Sequence, residues 1–157
     1  MAVLGLGLYR IVLTGGPELH GPYEVINVVD GDTIKVKAGT SEVKVRMIGI
    51  DTPESVHADE TRNTEEGKIA SESTKELLEG EKVYLEYDLD PEDDYGRTLA
   101  YVYLDDRKTM VQEILLEEGY ARMMTIQPNS KYVDEFYLIE RKAMKDKNGF
   151  WGTGFYE

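Results

Sequence analysis

Residues 25–47 read VINVVDGDTIKVKAGTSEVKVRM, a pattern of three short strands joined by two tight turns. Apolar and charged residues alternate from Ile34 to Ala38 and again from Val43 to Met47, as expected for half-buried strands. Asp30-Gly31 and Gly39-Thr40 supply residues that favour turns between these strands. The stretch therefore predicts a three-stranded meander at the start of a β-rich domain.

A helix is predicted after the meander. Asn63 and Glu66 have the spacing of a capping box, in which each side chain bonds the backbone near the other residue. Ile69, Ser73 and Leu77 fall on one stripe of this helix, which would face the core.

Two strands and two further helices complete the pattern. The strands are predicted at 83–87 and 98–104, and the helices run from Thr109 with Gln112 to Gly119 and from about Lys131 onwards. Three strands, a helix, two strands and two helices are the order of a five-stranded OB-fold barrel. We therefore predict an α+β protein with a mainly β core, built as an OB-fold barrel with three helices.

The chain has 157 residues, which suits one domain with a sizeable core. We predict that residues 1–22 form an N-terminal extension of unknown role and that residues 23–157 form the barrel domain. The segment from Met1 to Leu13 is apolar, but Arg10 lies inside the apolar run rather than before it. This order favours an extra strand over a partly removed leader and provides no convincing signal peptide.

Composition limits the chemistry that the chain can perform. The absence of cysteine excludes disulfides, thiolate metal sites and cysteine nucleophiles. The formal net charge of -13 argues against passive binding of nucleic acid, which usually depends on a basic surface. His20 and His57 lie far apart in the sequence and are assigned no role. Any activity on nucleic acid must therefore use local positive charge or a bound cation.

Several short segments carry the residue types that metal-assisted phosphodiester hydrolysis requires. Asp32 and Asp51 offer hard carboxylate oxygens, and a backbone carbonyl near Thr52 could add a third oxygen ligand for calcium. Arg46 and Arg97 could each bond two oxygens of a phosphate through a planar guanidinium that stays charged. Each segment alone also fits a hairpin turn, a loop entry or a solvated arginine, so only the combination indicates catalysis.

The arrangement of these segments resembles the thermonuclease (staphylococcal nuclease-like) family. The matching segments follow the order of the family: Asp30-Gly31-Asp32-Thr33, Val45-Arg46, Ile50-Asp51-Thr52-Pro53-Glu54, Tyr95-Gly96-Arg97 and Leu99-Ala100-Tyr101. The similarity extends from about Val25 to Trp151, and the first 22 residues fall outside it.

This resemblance implies a monomeric, calcium-dependent nuclease without stable membrane association, secreted or held in the cell envelope. Such enzymes hydrolyse single-stranded or frayed DNA and RNA with little sequence preference and leave 3'-phosphate ends. The resemblance implies that calcium is bound by Asp32, Asp51 and the Thr52 carbonyl. It implies that the catalytic groups are Arg46, Glu54 and Arg97. Glu54 would be the general base or the group that orients the attacking water.

Two departures from the family concern substrate binding. Asp94, preceded by Asp93, replaces the basic residue that relatives carry before the Tyr-Gly-Arg element. Residues 123–127 read MMTIQ where relatives often place tyrosines that stack on a base. Tyr95 is the remaining matched aromatic, and stacking on it could contribute about 1–3 kcal/mol. We therefore expect weaker substrate binding than in basic relatives.

Two other functions remain open from the sequence. The chain could be a catalytically weak or inactive OB-fold module that binds nucleic acid or protein. It could also be an acidic calcium-binding or protein-interaction domain, which would bind metal without cleavage. The joint presence of the two aspartates, Glu54, Arg46 and Arg97 favours the nuclease.

Overall fold

A computed structural model of the protein describes residues 15–57 and 59–157. Its strands, in chain order, are β1 (His20–Asp30), β2 (Thr33–Ala38), β3 (Ser41–Met47), β4 (Gly49–Asp51), β5 (Lys82–Glu86), β6 (Thr98–Tyr103) and β7 (Arg122–Met124). Its helices are α1 (Glu65–Leu78), α2 (Val111–Glu117), α3 (Val133–Lys145) and α4 (Phe150–Thr153), and a 3-10 turn spans Glu60–Arg62.

Five of the strands close a barrel in the order β1-β2-β3-β6-β5. The meander from β1 to β3 is antiparallel, β3 and β6 pair in parallel, and β1 pairs with β5 to close the barrel. The alternation predicted for the meander places Ile34, Val36 and Val45 in the core, each at most 1% exposed. The predicted OB-fold barrel is therefore confirmed.

Four short elements of the described chain were not predicted: β4, β7, α4 and the 3-10 turn at Glu60–Arg62. The short strands β4 and β7 form a separate antiparallel sheet, and α4 adds a fourth helix to the predicted three. Each contains only three or four residues, which is too few for a periodic pattern to emerge. Strands β4 and β7 carry Asp51 and Arg122, which belong to the candidate site described below.

The beginning of α1 differs from the prediction by one residue. Thr64, not Asn63, is the N-cap, and its hydroxyl oxygen accepts a hydrogen bond from the backbone N–H of Gly67 at 2.9 Å. The Asn63 side chain is occupied elsewhere, because its oxygen accepts a hydrogen bond from the backbone N–H of His57. The buried face also differs from the predicted stripe, since Ile69 is 48% exposed. The residues buried instead are Gly67, Ala70, Thr74 and Leu78.

The beginning of α2 differs for a related reason. Met110 is the N-cap and makes no side-chain cap hydrogen bond, so the predicted pairing of Thr109 with Gln112 is wrong. The buried side chain of Gln112 accepts a hydrogen bond from the Val102 N–H at 3.0 Å and donates to the Ala100 carbonyl at 3.0 Å. Gln112 therefore joins α2 to the backbone of the barrel instead of capping its own helix.

The N-terminal predictions remain predictions. Strand β1 begins at His20, three residues before the predicted start of the barrel domain at residue 23. Met1 to Leu13, predicted as an extra strand or a partly removed leader, lies outside the described residues.

No described helix combines the length and the apolar character needed to cross a membrane.

Candidate active site

Asp32 and Arg46 meet at one end of the barrel. Asp32 lies in the turn between β1 and β2, and Thr33 pairs with Arg46 across the next hairpin. The Nη2 atom of Arg46 lies 3.2 Å from Oδ2 of Asp32. Arg46 is only 5% exposed, and its Nη1 donates to the carbonyl oxygens of Met47 and Ile50. Its interpretation as a solvated strand residue is therefore wrong.

The same guanidinium group also contacts the chain that follows β3. Nη2 of Arg46 lies 3.5 Å from Oδ1 of Asp51, so the two aspartates share one nitrogen atom. The backbone N–H of Thr52 donates to Oδ2 of Asp32 at 3.1 Å. The structure thus brings together Asp32, Arg46, Asp51 and Thr52, which the sequence predicted as members of one site.

Negative charge is concentrated around Asp51. Burial raises the pKa of the Asp51 carboxyl, and repulsion from Asp32 raises it further, while Arg46 and Arg122 act in the opposite direction. Glu54 adds a smaller repulsion. A cation bound between these carboxylates would relieve that repulsion.

Asp30 belongs to the same acidic group, although no function was predicted for it. Burial raises its pKa to about 6, and the charges of Asp32 and Glu54 contribute to the increase. The Ser55 hydroxyl donates to Oδ1 of Asp30 at 2.6 Å, as does the Gly31 N–H at 3.1 Å, and these bonds lower the pKa in part. The sequence feature that could have indicated a role for Asp30 is its position two residues before Asp32.

Glu54 is half-buried and lines a cleft of about 300 Å³ together with Asp51 and Thr52. Its backbone is fixed by α1, because its carbonyl oxygen accepts the N–H of Thr64 at 3.0 Å. Gly67 packs directly on this carbonyl, where an added Cβ would lie 2.0 Å from the oxygen. The start of α1 therefore positions Glu54 beside the aspartates.

Arg97 and Tyr95 lie outside this group of contacts. Arg97 immediately precedes β6, and its Nε donates to Oδ2 of Asp93 at 2.7 Å. Burial alone would raise the pKa of Asp93, but the hydrogen bonds from Arg97 and Tyr95 outweigh it and hold that pKa below its ordinary value. Tyr95 is 85% exposed, and the Arg97 guanidinium carbon lies 5.6 Å from its ring centroid. Leu99 in β6 pairs with Arg46 in β3. Arg97 therefore lies at the start of the strand next to the one that carries Arg46.

Arg122 is a second residue that sequence reasoning missed. Asp51 pairs with Arg122 across the β4–β7 sheet, and Arg122 Nη2 lies 3.6 Å from Oδ2 of Asp51. No local motif surrounds Arg122, so only the pairing of two distant strands reveals the contact. Asp51 consequently has one arginine beside each carboxylate oxygen.

The oxygen atoms of Asp32, Asp51 and Thr52 are of the kind that binds a hard cation, but they are few. Two carboxylates and a backbone carbonyl suit calcium or a similar ion, which takes further oxygens from water or substrate. The hydroxyl oxygen of Thr52 is buried without a hydrogen-bond partner in the described part of the chain. Within residues 15–57 and 59–157, no three His, Cys, Asp or Glu side chains are grouped closely enough to hold a metal by themselves. A cation here would therefore depend on ligands that side chains alone do not supply.

Comparison with known proteins agrees with this geometry. The staphylococcal nuclease homologue family model matches residues 44–153. A thermonuclease of Staphylococcus hyicus is 46% identical over 131 residues, covering 83% of this chain and 76% of that protein. A thermonuclease of Staphylococcus intermedius is 43% identical over 129 residues, covering 82% and 75%. Endonuclease YncB of Bacillus subtilis is 40% identical over 149 residues, covering 90% and 69%.

The chain therefore belongs to the staphylococcal nuclease homologue family. The resemblance inferred from the short sequence segments is confirmed by matches that extend over most of the chain.

Proposed function

We propose that this protein is a nuclease that hydrolyses phosphodiester bonds of DNA or RNA with the help of calcium. The observation that carries the proposal is the contact of Asp32 and Asp51 with one buried guanidinium group, that of Arg46, beside Glu54. This grouping combines metal-type oxygens, a phosphate-binding cation and a candidate base. The names of the relatives, thermonuclease and endonuclease, support the same reaction class.

Asp32, Asp51 and the Thr52 carbonyl are the proposed calcium ligands. Calcium bound there would supply Lewis-acid polarisation of a phosphate oxygen. The repulsion that raises the pKa of Asp51 supports a cation at this position, because the charged carboxylates then gain an opposite charge.

The reaction follows from the proposed roles of the remaining groups. Arg46 binds a non-bridging phosphate oxygen through the N–H groups of Nε and Nη2, because its Nη1 donates to the carbonyl oxygens of Met47 and Ile50. Glu54 orients water and accepts its proton as the water oxygen bonds to phosphorus. The bond from phosphorus to the 5'-oxygen then breaks, which leaves a 3'-phosphate. Arg97 stabilises the charge on the departing oxygen, which takes a proton from solvent.

Arg97 needs a rearrangement to perform that role. Its Nε donates to Asp93, but Arg97 and Asp93 both lie near the surface. A partly exposed ion pair of this kind is worth at most about 1 kcal/mol, so a phosphate can compete for the guanidinium. Exposed Tyr95, proposed to stack on a base, would approach the substrate together with Arg97.

The proposed substrate is single-stranded or frayed nucleic acid, cleaved by a monomer with little sequence preference. Stacking on Tyr95 and phosphate contacts recognise features that every nucleotide shares. The net charge of -13 should weaken association with a polyanion, so we expect a high Michaelis constant.

Nuclease assays on denatured DNA and on RNA, with calcium and with chelator, test the proposal. Cleavage should require calcium, and the Arg97→Lys and Glu54→Gln variants should each lose most of the turnover. Lysine cannot bond two oxygens as a fork, and glutamine cannot accept the proton of water. Matched changes at exposed positions, Arg141→Lys and Glu42→Gln, should leave turnover unchanged.

Circular dichroism should report the same fold for all four variants. Calcium-independent cleavage, or wild-type turnover by Glu54→Gln, would contradict the assigned roles. Binding of nucleic acid without any cleavage would favour the binding module instead.

A further inference from the structure

A cleft of about 300 Å³ lies beside the candidate catalytic residues. Residues 51–54 form one part of its lining, and Arg62, Arg122, Phe155 and Tyr156 form the other. We call it the Arg122 cleft. It is next to Asp51, whose Oδ1 faces Arg46 and whose Oδ2 faces Arg122. The cleft therefore adjoins the proposed position of the cleaved phosphate without including Arg46 or Arg97.

Arg122 is available to bind a ligand from solvent. Its side chain is 57% exposed, and its distance of 3.6 Å from Asp51 exceeds that of a good hydrogen bond. Its guanidinium carbon lies 5.6 Å from the centroid of the Tyr156 ring, which holds the group over the cleft. An exposed ion pair contributes little to stability, so exchanging Asp51 for a phosphate costs little.

The charge of this cleft contrasts with that of the whole chain. The protein has 18 Lys and Arg residues against 31 Asp and Glu residues, whereas this cleft has two arginines against the two carboxylates of Asp51 and Glu54. Arg62 reaches it from the 3-10 turn, with Nη1 at 2.7 Å from Nε2 of His57. Screening over about 8–10 Å limits repulsion from distant carboxylates, so a phosphate in the cleft experiences this balanced local charge rather than the net negative charge of the whole chain.

Phe155 supplies an aromatic surface in the same cleft. Its side chain is 41% exposed, although a phenylalanine in a folded chain is usually buried. Its ring makes an edge contact with Phe150 at a centroid distance of 5.7 Å, and the Tyr156 ring is 5.5 Å away. An aromatic ring supported from behind and open to solvent on another side can stack on a base.

We propose that the Arg122 cleft binds the nucleotide next to the cleaved phosphodiester bond, with Arg122 on its phosphate and Phe155 stacked on its base. The inference rests on the proposed nuclease function, and it adds a binding site to it. It also explains how an acidic chain with Asp94 before Tyr95 can hold a single strand. Arg122 and Phe155 are substrate-binding residues here, whereas the groups around Asp32 perform the reaction.

Two substrates of different length test the proposal in the full chain. A dinucleotide with one phosphodiester bond has no second phosphate for Arg122 to bind, whereas octathymidylate has one. Arg122→Gln and Phe155→Ala should each raise the KM for octathymidylate roughly tenfold. Arg122→Gln should change the KM for the dinucleotide much less, because that substrate lacks the phosphate that Arg122 is proposed to bind. Phe155→Trp should keep the KM for octathymidylate near the wild-type value, because tryptophan also stacks on a base.

A binding measurement separates this inference from the nuclease proposal. Labelled octathymidylate is titrated in EDTA at several salt concentrations, where no cleavage is expected. The slope of log K against log salt should decrease in magnitude by about 0.7 for Arg122→Gln, the value for one lost phosphate contact on a single strand. Arg122→Lys should keep the slope, and the control Arg141→Gln, at an exposed position on α3, should keep both slope and KM.

The outcomes are distinct. An unchanged slope and KM in Arg122→Gln, or an equal loss on the dinucleotide and on octathymidylate, would overturn the inference, because the latter indicates an effect through Asp51. Wild-type protein that fails to cleave with calcium would overturn the nuclease proposal. The salt slope in EDTA would still decide whether the cleft binds a nucleotide.

Discussion

Replacing Asp30 by asparagine should stabilise the protein at neutral pH, although Asp30 belongs to the most acidic part of the candidate site. The carboxyl group is 7% exposed and lies near the charges of Asp32 and Glu54. Asparagine keeps an acceptor oxygen for the hydrogen bonds from Ser55 and Gly31 and removes the charge. The substitution therefore eliminates an unfavourable charge at little cost in hydrogen bonding.

The magnitude follows from the pKa of Asp30, which burial raises from 3.8 to about 6. At about 1.4 kcal/mol for each pKa unit, ionised Asp30 lowers the free energy of unfolding by about 3 kcal/mol at pH 8. Because the pKa is higher in the folded protein, ionisation of Asp30 destabilises the fold. The loss of stability is absent below pH 3.8 and is complete once the pH has risen above about 6. At pH 4 the folded protein holds Asp30 protonated, so the gain from asparagine should fall below about 1 kcal/mol.

Urea unfolding of wild type and Asp30→Asn at pH 8 and pH 4, in EDTA, measures this difference. Asp105→Asn is the matched control, since Asp105 is exposed, and it should change stability little at either pH. An Asp30→Asn variant that is equally stabilised at both pH values would refute the electrostatic reasoning. So would a variant that is less stable than wild type at pH 8.

Two further substitutions test the contacts that support the site. Gln112→Ala should lower the free energy of unfolding by about 2 kcal/mol or more, because it leaves the buried N–H of Val102 without a partner. Urea unfolding measures the loss, and an unfolding midpoint equal to that of wild type would contradict the prediction. Gly49→Ala should cost about 1–3 kcal/mol more than Gly39→Ala. Both glycines have positive φ, but only at Gly49 would the new Cβ meet the ring of Phe136, at 2.5 Å. Equal losses in thermal unfolding would show that the Phe136 contact is unimportant.

Much of the fold could be predicted because it depends on local patterns. The alternation in residues 34–38 and 43–47 reports which side of each strand faces the core, and the turns between them contain residues that favour turns. The start of α1 was predicted one residue early because Asn63 and Thr64 are both good capping residues. The hydrogen bond between Asn63 and His57 decides between them, and that contact is not visible in a helix pattern.

The members of the candidate site were predictable only in part. Asp32, Arg46 and Asp51 were recognised as a set, and the structure brings them together around one guanidinium group. Arg97 was placed in the same set, yet its ion pair is with Asp93, four residues earlier. A motif specifies residue types and spacing, but the competing partners of each side chain depend on the folded surface.

By itself the amino-acid sequence determined the five-stranded barrel, the acidic turn at Asp32 and the family to which the chain belongs. These follow from residue periodicity and from short segments in a defined order. The tertiary structure alone decided that Asp30 is buried, that Arg122 contacts Asp51 and that Phe155 lines the same cleft. The physical reason is that burial and charge interactions depend on distance in space, and strand pairing such as that of β4 with β7 brings together segments that lie far apart in the chain.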